Sequence, residues 1–215
     1  MNPYVLKSEF CRVWRYCREI MISQGLSVLV VGIFSFMLCD LLPLYPQIGS
    51  CFYWLAQSFS ILFLGDRLFQ RDLLQGFFSN VLNSQTSLSS FLVSRWFAFT
   101  LGITVYMALM APLLLYLLRI PSERWGYFLL LLLPFNGMVG GYSGMLSLLT
   151  QGAKSYLLPL LLLPLLLPTF IFTVGGVFDD NFMTVFAMLM AILFLTLPFI
   201  IGVSVSVLHH LIQSY

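Results

Sequence analysis

Six long apolar runs constrain the fold of this chain more than any other feature of its sequence. They cover about residues 22–42, 49–65, 91–118, 126–149, 156–178 and 182–207. A helix needs about 20 apolar residues to cross the hydrocarbon core of a bilayer. Each run is therefore a candidate membrane-spanning helix. The second run is the shortest and, because it contains Gln57 and several serines, the most polar.

The composition agrees with a membrane location. Only 8% of the residues are charged and 60% are hydrophobic, whereas soluble domains are about 25% charged. A soluble chain of this kind would have too few polar side chains to cover its surface. The net charge of +2 is too small to indicate a nucleic-acid-binding protein, and charges throughout the N-terminal segment argue against a cleavable signal peptide. The sequence predicts an all-α integral membrane protein without a sizeable soluble domain.

The positive residues are divided unevenly between alternate loops. If the N-terminus lies inside, eight of the ten fall on inner segments and two, Arg119 and Arg124, fall on outer ones. Inner loops of membrane proteins carry an excess of Lys and Arg. We therefore expect both termini on the cytoplasmic side. The inner positions are Lys7, Arg12, Arg15, Arg18, Arg67, Arg71, Arg95 and Lys154.

Residues 1–21 have the pattern of an amphipathic helix. Apolar side chains occupy one side of the helical wheel, and charged side chains, four basic and two acidic, occupy the rest. This pattern is typical of a helix that lies in the membrane interface with its basic face toward anionic head groups. The alternative is a solvated basic flank. The predicted interfacial anchors are Arg12, Trp14, Arg15 and Arg18.

The fourth and fifth apolar runs contain residues that shape helix packing. Pro159, Pro164 and Pro168 each remove a backbone donor from the fifth run. Proline is tolerated in a membrane helix where neighbours satisfy the freed carbonyls, so we expect a kinked or broken fifth helix packed inside the bundle. In the fourth run, Gly140 and Gly144 have the small-xxx-small spacing that permits close helix contact.

The segment 66–87 is the one long polar interruption between the runs. Up to about residue 83 it has the periodicity of a second amphipathic helix, which follows the second span directly. An aromatic face on a short inner-side helix must be buried against its own bundle, the lipid surface or a separate cytoplasmic subunit. The hydroxyl residues Ser84, Thr86 and Ser87 offer N-caps for the third span. The apolar side includes Phe69, Leu73, Phe77 and Phe78, and the polar side has Asp72, Gln75, Gly76 and Ser79.

Two groups of residues give the chain a family resemblance. The first is Arg67-Leu68-Phe69, Asp72-Leu73 and Gly76, followed by Arg95-Trp96. The second is Leu162-Leu163-Pro164-Leu165-Leu166-Leu167-Pro168 followed by Ile171-Phe172, with Lys154 upstream. Together they resemble the haem exporter protein B family, the membrane subunit of the ABC-type complex of cytochrome c maturation. The departures are Asp66, Gln70, Arg71 and Phe77-Phe78-Ser79, and the family has an acidic residue at the position of Ser79.

The resemblance implies an ABC-2-type permease fold, with residues 1–215 forming one transmembrane permease domain of six helices. It also implies that the segment 66–87 contains a coupling helix, which a cytoplasmic ATPase subunit grips. In such a helix, an apolar face docks on the partner and the flanking charges set the register. The expected anchors are Phe69, Leu73, Phe77 and Phe78; Asp66, Arg67, Arg71 and Asp72 are the flanking charges; and Gly76 allows close backbone approach.

The resemblance further implies the partners and the compartment. Besides the ATPase, these are a haem-handling membrane subunit, a small membrane subunit and a haem chaperone on the outer side. ATP is bound by the partner and haem is handled by the complex. The implied location is a bacterial inner membrane, with a mitochondrial inner membrane as the alternative.

Other polar groups give little sign of chemistry within the chain itself. No G-x-x-x-x-G-K-[ST] phosphate loop occurs, so we expect a non-enzymatic subunit that binds no cofactor directly. His209-His210 and Asp179-Asp180-Asn181 fit interfacial and loop positions better than haem or metal sites. Cys39 and Cys51 lie near the outer ends of the first two runs, where a disulfide could form only in an oxidising compartment.

Two other functions compete on the sequence alone. Another ABC-2-type permease, exporting a lipid or a drug-like molecule, would share the coupling segment but should lack the Pro164 and Pro168 pattern. An intramembrane enzyme or electron-transfer anchor would require paired histidines or carboxylates inside the spans, and the apolar runs contain none.

Overall fold

The computed structural model describes the backbone of residues 17–74, 87–149, 157–179 and 181–213, and the side chains of 19–65, 87–149, 166–179 and 181–210. Within these ranges every long element is a helix and no strand occurs, which confirms the all-α class. The helices are α1 (Cys17–Met37), α2 (Pro46–Leu74), α3 (Leu88–Leu117), α4 (Trp125–Leu149), α5 (Leu157–Gly176) and α6 (Phe182–Gln213), and a short 3-10 helix (Ser122–Arg124) precedes α4.

Five of these helices, all except α5, are long and apolar enough to cross a membrane. In α5 the part whose side chains are described, Leu166–Gly176, is shorter than a span. Large apolar side chains are exposed around the bundle, including Phe36 at 88% and Leu195 at 80%, as expected where lipid replaces water as the solvent. The chain is thus a multi-pass membrane protein, and the sixth span stays a prediction.

Successive helices run in alternating directions. Ser35, near the end of α1, donates a hydrogen bond to the carbonyl of Leu117 at the end of α3. Leu92, near the start of α3, packs in one cluster with Leu148 and Leu208, which lie near the ends of α4 and α6. We call the end of the bundle where α1 and α3 begin the coupling end, because α2, which carries the start of the predicted coupling segment, ends there. The opposite end is the far end.

Helix α4 forms the centre of the bundle and contacts α2, α3, α5 and α6. Every residue from Pro134 to Leu148 is buried. Glycines make this possible: a Cβ on Gly140 would lie 3.1 Å from the ring of Phe99 in α3, and one on Gly141 would lie 3.0 Å from Ile200 in α6. The prediction that glycines of the fourth run allow close helix contact is confirmed.

The sequence predicts that α5 is kinked or broken. It is continuous from Leu157 to Gly176 through all three prolines, so the alternative of a broken helix is wrong. Nor is the helix buried on all sides: Thr169 and Thr173 are buried, but Pro168 is exposed. Small and hydroxyl residues face the bundle because they permit close approach, whereas the apolar proline ring has no donor to satisfy and tolerates lipid.

The first helix begins earlier than predicted. Helix α1 starts at Cys17, so residues 17–21, which the sequence assigns to an interfacial helix, continue directly into the first span. No glycine or proline lies between Cys17 and Ser23 to end a helix there. Helix α1 ends at Met37, and a turn over 38–44 leads to α2. Of the predicted anchors, Arg18 lies on the first turn of α1; Arg12, Trp14 and Arg15 lie outside the described residues.

Candidate coupling site

Helix α2 is longer than a membrane span. It has 29 residues, which corresponds to about 43 Å, whereas the hydrocarbon core of a bilayer is about 30 Å thick. Its first 20 residues, Pro46–Gly65, are apolar enough to span a membrane, and the first charged residue of the helix, Asp66, follows directly. The remaining stretch, Asp66–Leu74, extends the same helix at the coupling end without a break.

This extension carries the first half of the predicted coupling segment. The sequence predicts a separate helix after the second span, and the structure instead has one helix up to Leu74. No proline or glycine lies between Asp66 and Leu74 to end the helix there. Asp66, Arg67, Phe69, Arg71, Asp72 and Leu73 lie on this backbone, and Gly76, Phe77 and Phe78 lie outside the described residues. Their side-chain roles stay predictions.

The base of the extension is fixed by close packing between α2 and α4. A Cβ on Gly65 would overlap the hydroxyl oxygen of Ser143. That hydroxyl donates a hydrogen bond to the carbonyl of Gly140 at 3.0 Å and is fully buried. Gly65 directly precedes Asp66, the first charged residue of α2. The polar extension therefore starts from a point where α2 has no room to move toward α4.

A second contact near the base joins α2 to α1. The hydroxyl of Ser23 donates to the carbonyl of Ser60 at 2.6 Å, and the hydroxyl of Ser60 donates in return to the carbonyl of Ser23. Reciprocal bonds of this kind bring two helix backbones close together in a membrane. They attach α2 to α1 near the coupling end.

Helix α3 begins on the other side of the coupling segment. Ser87 occupies its N-cap position, as the sequence predicts, but the Ser87 hydroxyl makes no capping hydrogen bond. Arg95, in the second turn, is only 5% exposed. The next residue, Trp96, donates from its indole Nε1 to the carbonyl of Gly137 at 2.9 Å. Trp96, the aromatic residue of the Arg95-Trp96 pair in the family pattern, thus attaches the start of α3 to α4.

A chain of amide and hydroxyl groups links three helices deep in the bundle. Gln57 of α2 donates from Nε2 to Oδ1 of Asn136 in α4 at 3.2 Å. Asn136 donates from Nδ2 to the hydroxyl of Thr104 in α3 at 3.1 Å. Both amide side chains are fully buried. Sequence reasoning noted Gln57 only as a polar residue and did not identify this chain, although amides within apolar runs were a signal.

The remaining polar groups of the sequence analysis lie at both ends of the bundle, and Asp180 lies outside the described residues. Among the described residues no group of three or more His, Cys, Asp or Glu side chains is placed to hold a metal ion. Cys39 and Cys51 are free thiols. Asp179 accepts a hydrogen bond from the backbone of Asn181 at 2.9 Å within the α5–α6 turn. His209 and His210 are exposed near the end of α6.

The arrangement can transmit movement, because one rigid helix joins a polar extension to the buried centre of the bundle.

Comparison with known proteins adds a family match. The family model described as CcmB protein matches residues 4–207 of this chain. No curated protein sequence matches it.

Proposed function

The chain belongs to the CcmB protein family, and on this basis we propose that it couples ATP hydrolysis by a partner ATPase to the release of a haem-loaded chaperone on the outer side of the membrane. Members of this family are haem-exporter membrane components of an ABC transporter in cytochrome c maturation. They are permease-type subunits and not a catalytic family. The proposed function concerns how energy from the partner reaches the membrane bundle.

The continuity of α2 is the observation that carries this proposal. A helix transmits displacement along its axis because each residue is bonded to the next turn. In α2 the axis runs from Leu74 in the polar extension through Gly65 to Gln57 in the buried core. A partner that pushed or tilted the extension would therefore act on the packing of α2 against α1 and α4.

The coupling segment would meet the ATPase through its aromatic face. Phe69, Leu73, Phe77 and Phe78 are the proposed anchors, since burial of aromatic side chains dominates the energy of small interfaces. Arg67, Arg71 and Asp72 would set the register by charge complementarity. Gly76 would allow the partner to approach the backbone. The contacts on this segment lie outside the described side chains, so the roles rest on the sequence pattern and the family.

The distribution of charge supports the orientation and the mechanical role. Eight of ten Lys and Arg residues belong to segments at the coupling end or to loops expected beside it, so we propose that this end and both termini lie on the cytoplasmic side. On the basis of the family we propose a bacterial inner membrane, with a mitochondrial inner membrane as the alternative. In α3 no Lys or Arg follows Arg95, and α4 contains none. Apart from Arg95 near the coupling end, the spans carry no positive charge that could accompany anionic haem across the bundle, which favours coupling over haem transport. ATP would be bound by the partner, and haem by other subunits and the chaperone.

Paired substitutions on opposite faces of the segment test the proposal. We expect Phe77→Asp with Phe78→Asp to abolish co-purification of the ATPase, because charge on the docking face would have to be buried. Gln75→Asp with Ser79→Asp adds the same charge to the polar face and should leave co-purification intact. Equal recovery of the ATPase with both pairs, whether high or low, would contradict docking through the aromatic face.

A further inference from the structure

A groove at the far end of the bundle lies apart from the coupling site. It has a volume of about 820 Å³ and runs between the end of α1 and the turn that joins α3 to α4. Its lining includes Gly32 and Phe36 from α1, Tyr116 from α3, and Arg119 and Trp125 from the turn and the start of α4. It combines aromatic walls with one guanidinium group.

The groove opens toward lipid. Phe36 is 88% exposed and Tyr116 is 73% exposed. A Cβ on Gly32 would meet no atom within 4 Å, so the floor of the groove is empty at this residue. Trp125 is held in place by a hydrogen bond from its Nε1 to the carbonyl of Ile120 at 3.0 Å. The walls are apolar and accessible along the bundle surface, which suits a hydrocarbon chain.

Arg119 brings a positive charge to the groove at a conformational cost. Its φ is 54°, a left-handed conformation that costs a residue with a Cβ about 1 kcal/mol or more. The position follows the C-cap of α3: the backbone N–H of Arg119 bonds the carbonyl of Tyr116, and that of Ile120 bonds the carbonyl of Leu115. This pair of bonds is a Schellman motif, in which glycine is the usual residue at the left-handed position. Arginine occupies it here and lines the groove.

The charge of Arg119 is available to a ligand. Its guanidinium makes no hydrogen bond or ion pair within the described parts of the chain. Three described carboxylates of the same end, Asp40, Glu123 and Asp179, are exposed but do not line the groove. Arg119 also lies just beyond the last residue of α3. Lipid head groups lie at the depth where membrane helices end, so Arg119 is at the depth of a head group.

The groove is confined to one leaflet. From Gly32 to the end of α1 at Met37 the helix rises about 8 Å, which is about half the depth of one leaflet of the hydrocarbon core. A transmembrane helix of another subunit would need a contact surface that continues through both leaflets. A lipid molecule needs a surface in one leaflet only.

We propose that this groove binds an anionic phospholipid, with an acyl chain along Gly32 and Phe36 and the phosphate at Arg119. The hydroxyl of Ser122, which also lines the groove, is a second donor for the phosphate. Arginine binds phosphate oxygens by charge-assisted hydrogen bonds. The proposal is independent of the function proposed for the coupling segment, because it rests on groups at the opposite end of the bundle.

Lipid retention tests the charge. The full-length chain, purified in detergent with its co-purifying subunits, is incubated with equal amounts of phosphatidylglycerol and phosphatidylcholine that have the same acyl chains, and bound lipid is counted by native mass spectrometry. We expect about tenfold preference for phosphatidylglycerol. Arg119→Gln should remove the preference and Arg119→Lys should keep most of it. Equal retention of the two lipids by the wild-type chain would overturn the proposal.

The variant Arg119→Gly separates the loss of charge from damage to the fold. Glycine fits a φ of 54° without steric cost, so this variant should lose lipid preference while its thermal midpoint stays the same or rises. A preference for phosphatidylglycerol that survives in Arg119→Gly would contradict a phosphate site at this residue.

A steric pair tests the acyl chain. Gly32→Leu should fill the floor of the groove and reduce retention of both lipids. Gly25→Leu is the control: a Cβ there also meets no atom within 4 Å, but Gly25 does not line the groove, so retention should not change. If Gly32→Leu instead lowered the recovery of another membrane subunit and left lipid retention unchanged, the occupant would be protein and the proposal would be wrong.

Discussion

Gln57 and Asn136 are 79 residues apart in the sequence and form a direct side-chain hydrogen bond in the buried contact between α2 and α4. Asn136 passes the connection on to Thr104 of α3. The helix that carries the coupling segment is thereby joined to the centre of the bundle by a polar contact as well as by apolar packing. In lipid such a contact cannot be replaced by water, so it defines how α2 is rotated against α4.

The first prediction concerns this bond. Asn136→Leu should destabilise the protein by about 1–2 kcal/mol, because it leaves the buried Gln57 amide without its partner. Gln57→Leu should have a similar effect. The double variant should lose less than the sum, with a coupling energy of about 0.5–1.5 kcal/mol. Unfolding of the four proteins in mixed detergent micelles measures the cycle, and strictly additive losses would show that the two amides act independently.

The second prediction concerns the close contact of Gly65 with Ser143. Gly65→Ala should destabilise the protein by about 1–3 kcal/mol, because the methyl group would overlap the buried hydroxyl of Ser143 and push α2 away from α4. ATPase activity of the assembled complex should also respond less to the membrane subunit, since the base of the coupling segment has moved.

The matched control for that change is Gly25→Ala. A Cβ on Gly25 meets no atom within 4 Å, and alanine favours a helix over glycine by about 1 kcal/mol. Gly25→Ala should therefore leave the thermal midpoint unchanged or raise it slightly. Equal losses of stability at the two positions would mean that the Gly65 contact has no special importance.

The third prediction concerns orientation. In a chain whose four native cysteines are replaced by serine, a cysteine at Ser84 should react with a membrane-impermeant maleimide only after the cells are opened. A cysteine at Asn181, in the exposed α5–α6 turn at the far end, should react in intact spheroplasts. The reverse pattern would place the coupling segment away from ATP, and the proposed function would then fail.

The sequence was informative wherever a local rule decides the structure. The two apolar runs at 126–149 and 182–207 correspond closely to α4 and α6. The glycines of the fourth run predicted close contact, because a residue without a side chain lets a neighbouring helix approach its backbone whichever helix that is. The family resemblance, drawn from residues such as Arg67 and Pro164, agrees with a family match over residues 4–207.

Sequence reasoning was weaker where the answer depends on which way a helix faces. Pro168 was expected inside the bundle and is exposed, and Arg95 was counted with the polar loop although it is buried in α3. Helices that are apolar on all sides have no periodicity that separates a lipid face from a packed face. The coupling anchors Phe77 and Phe78 lie outside the described residues and stay predictions.

The chain's residence in lipid and its all-helical form follow from the sequence alone, because long apolar runs must satisfy their backbone hydrogen bonds within the segment. Only the tertiary structure determined that α4 lies at the centre, that Gln57 meets Asn136, and that Arg119 lines a groove with Phe36. These relationships join residues far apart in the chain, and they depend on helix rotation and close packing, which local composition does not specify.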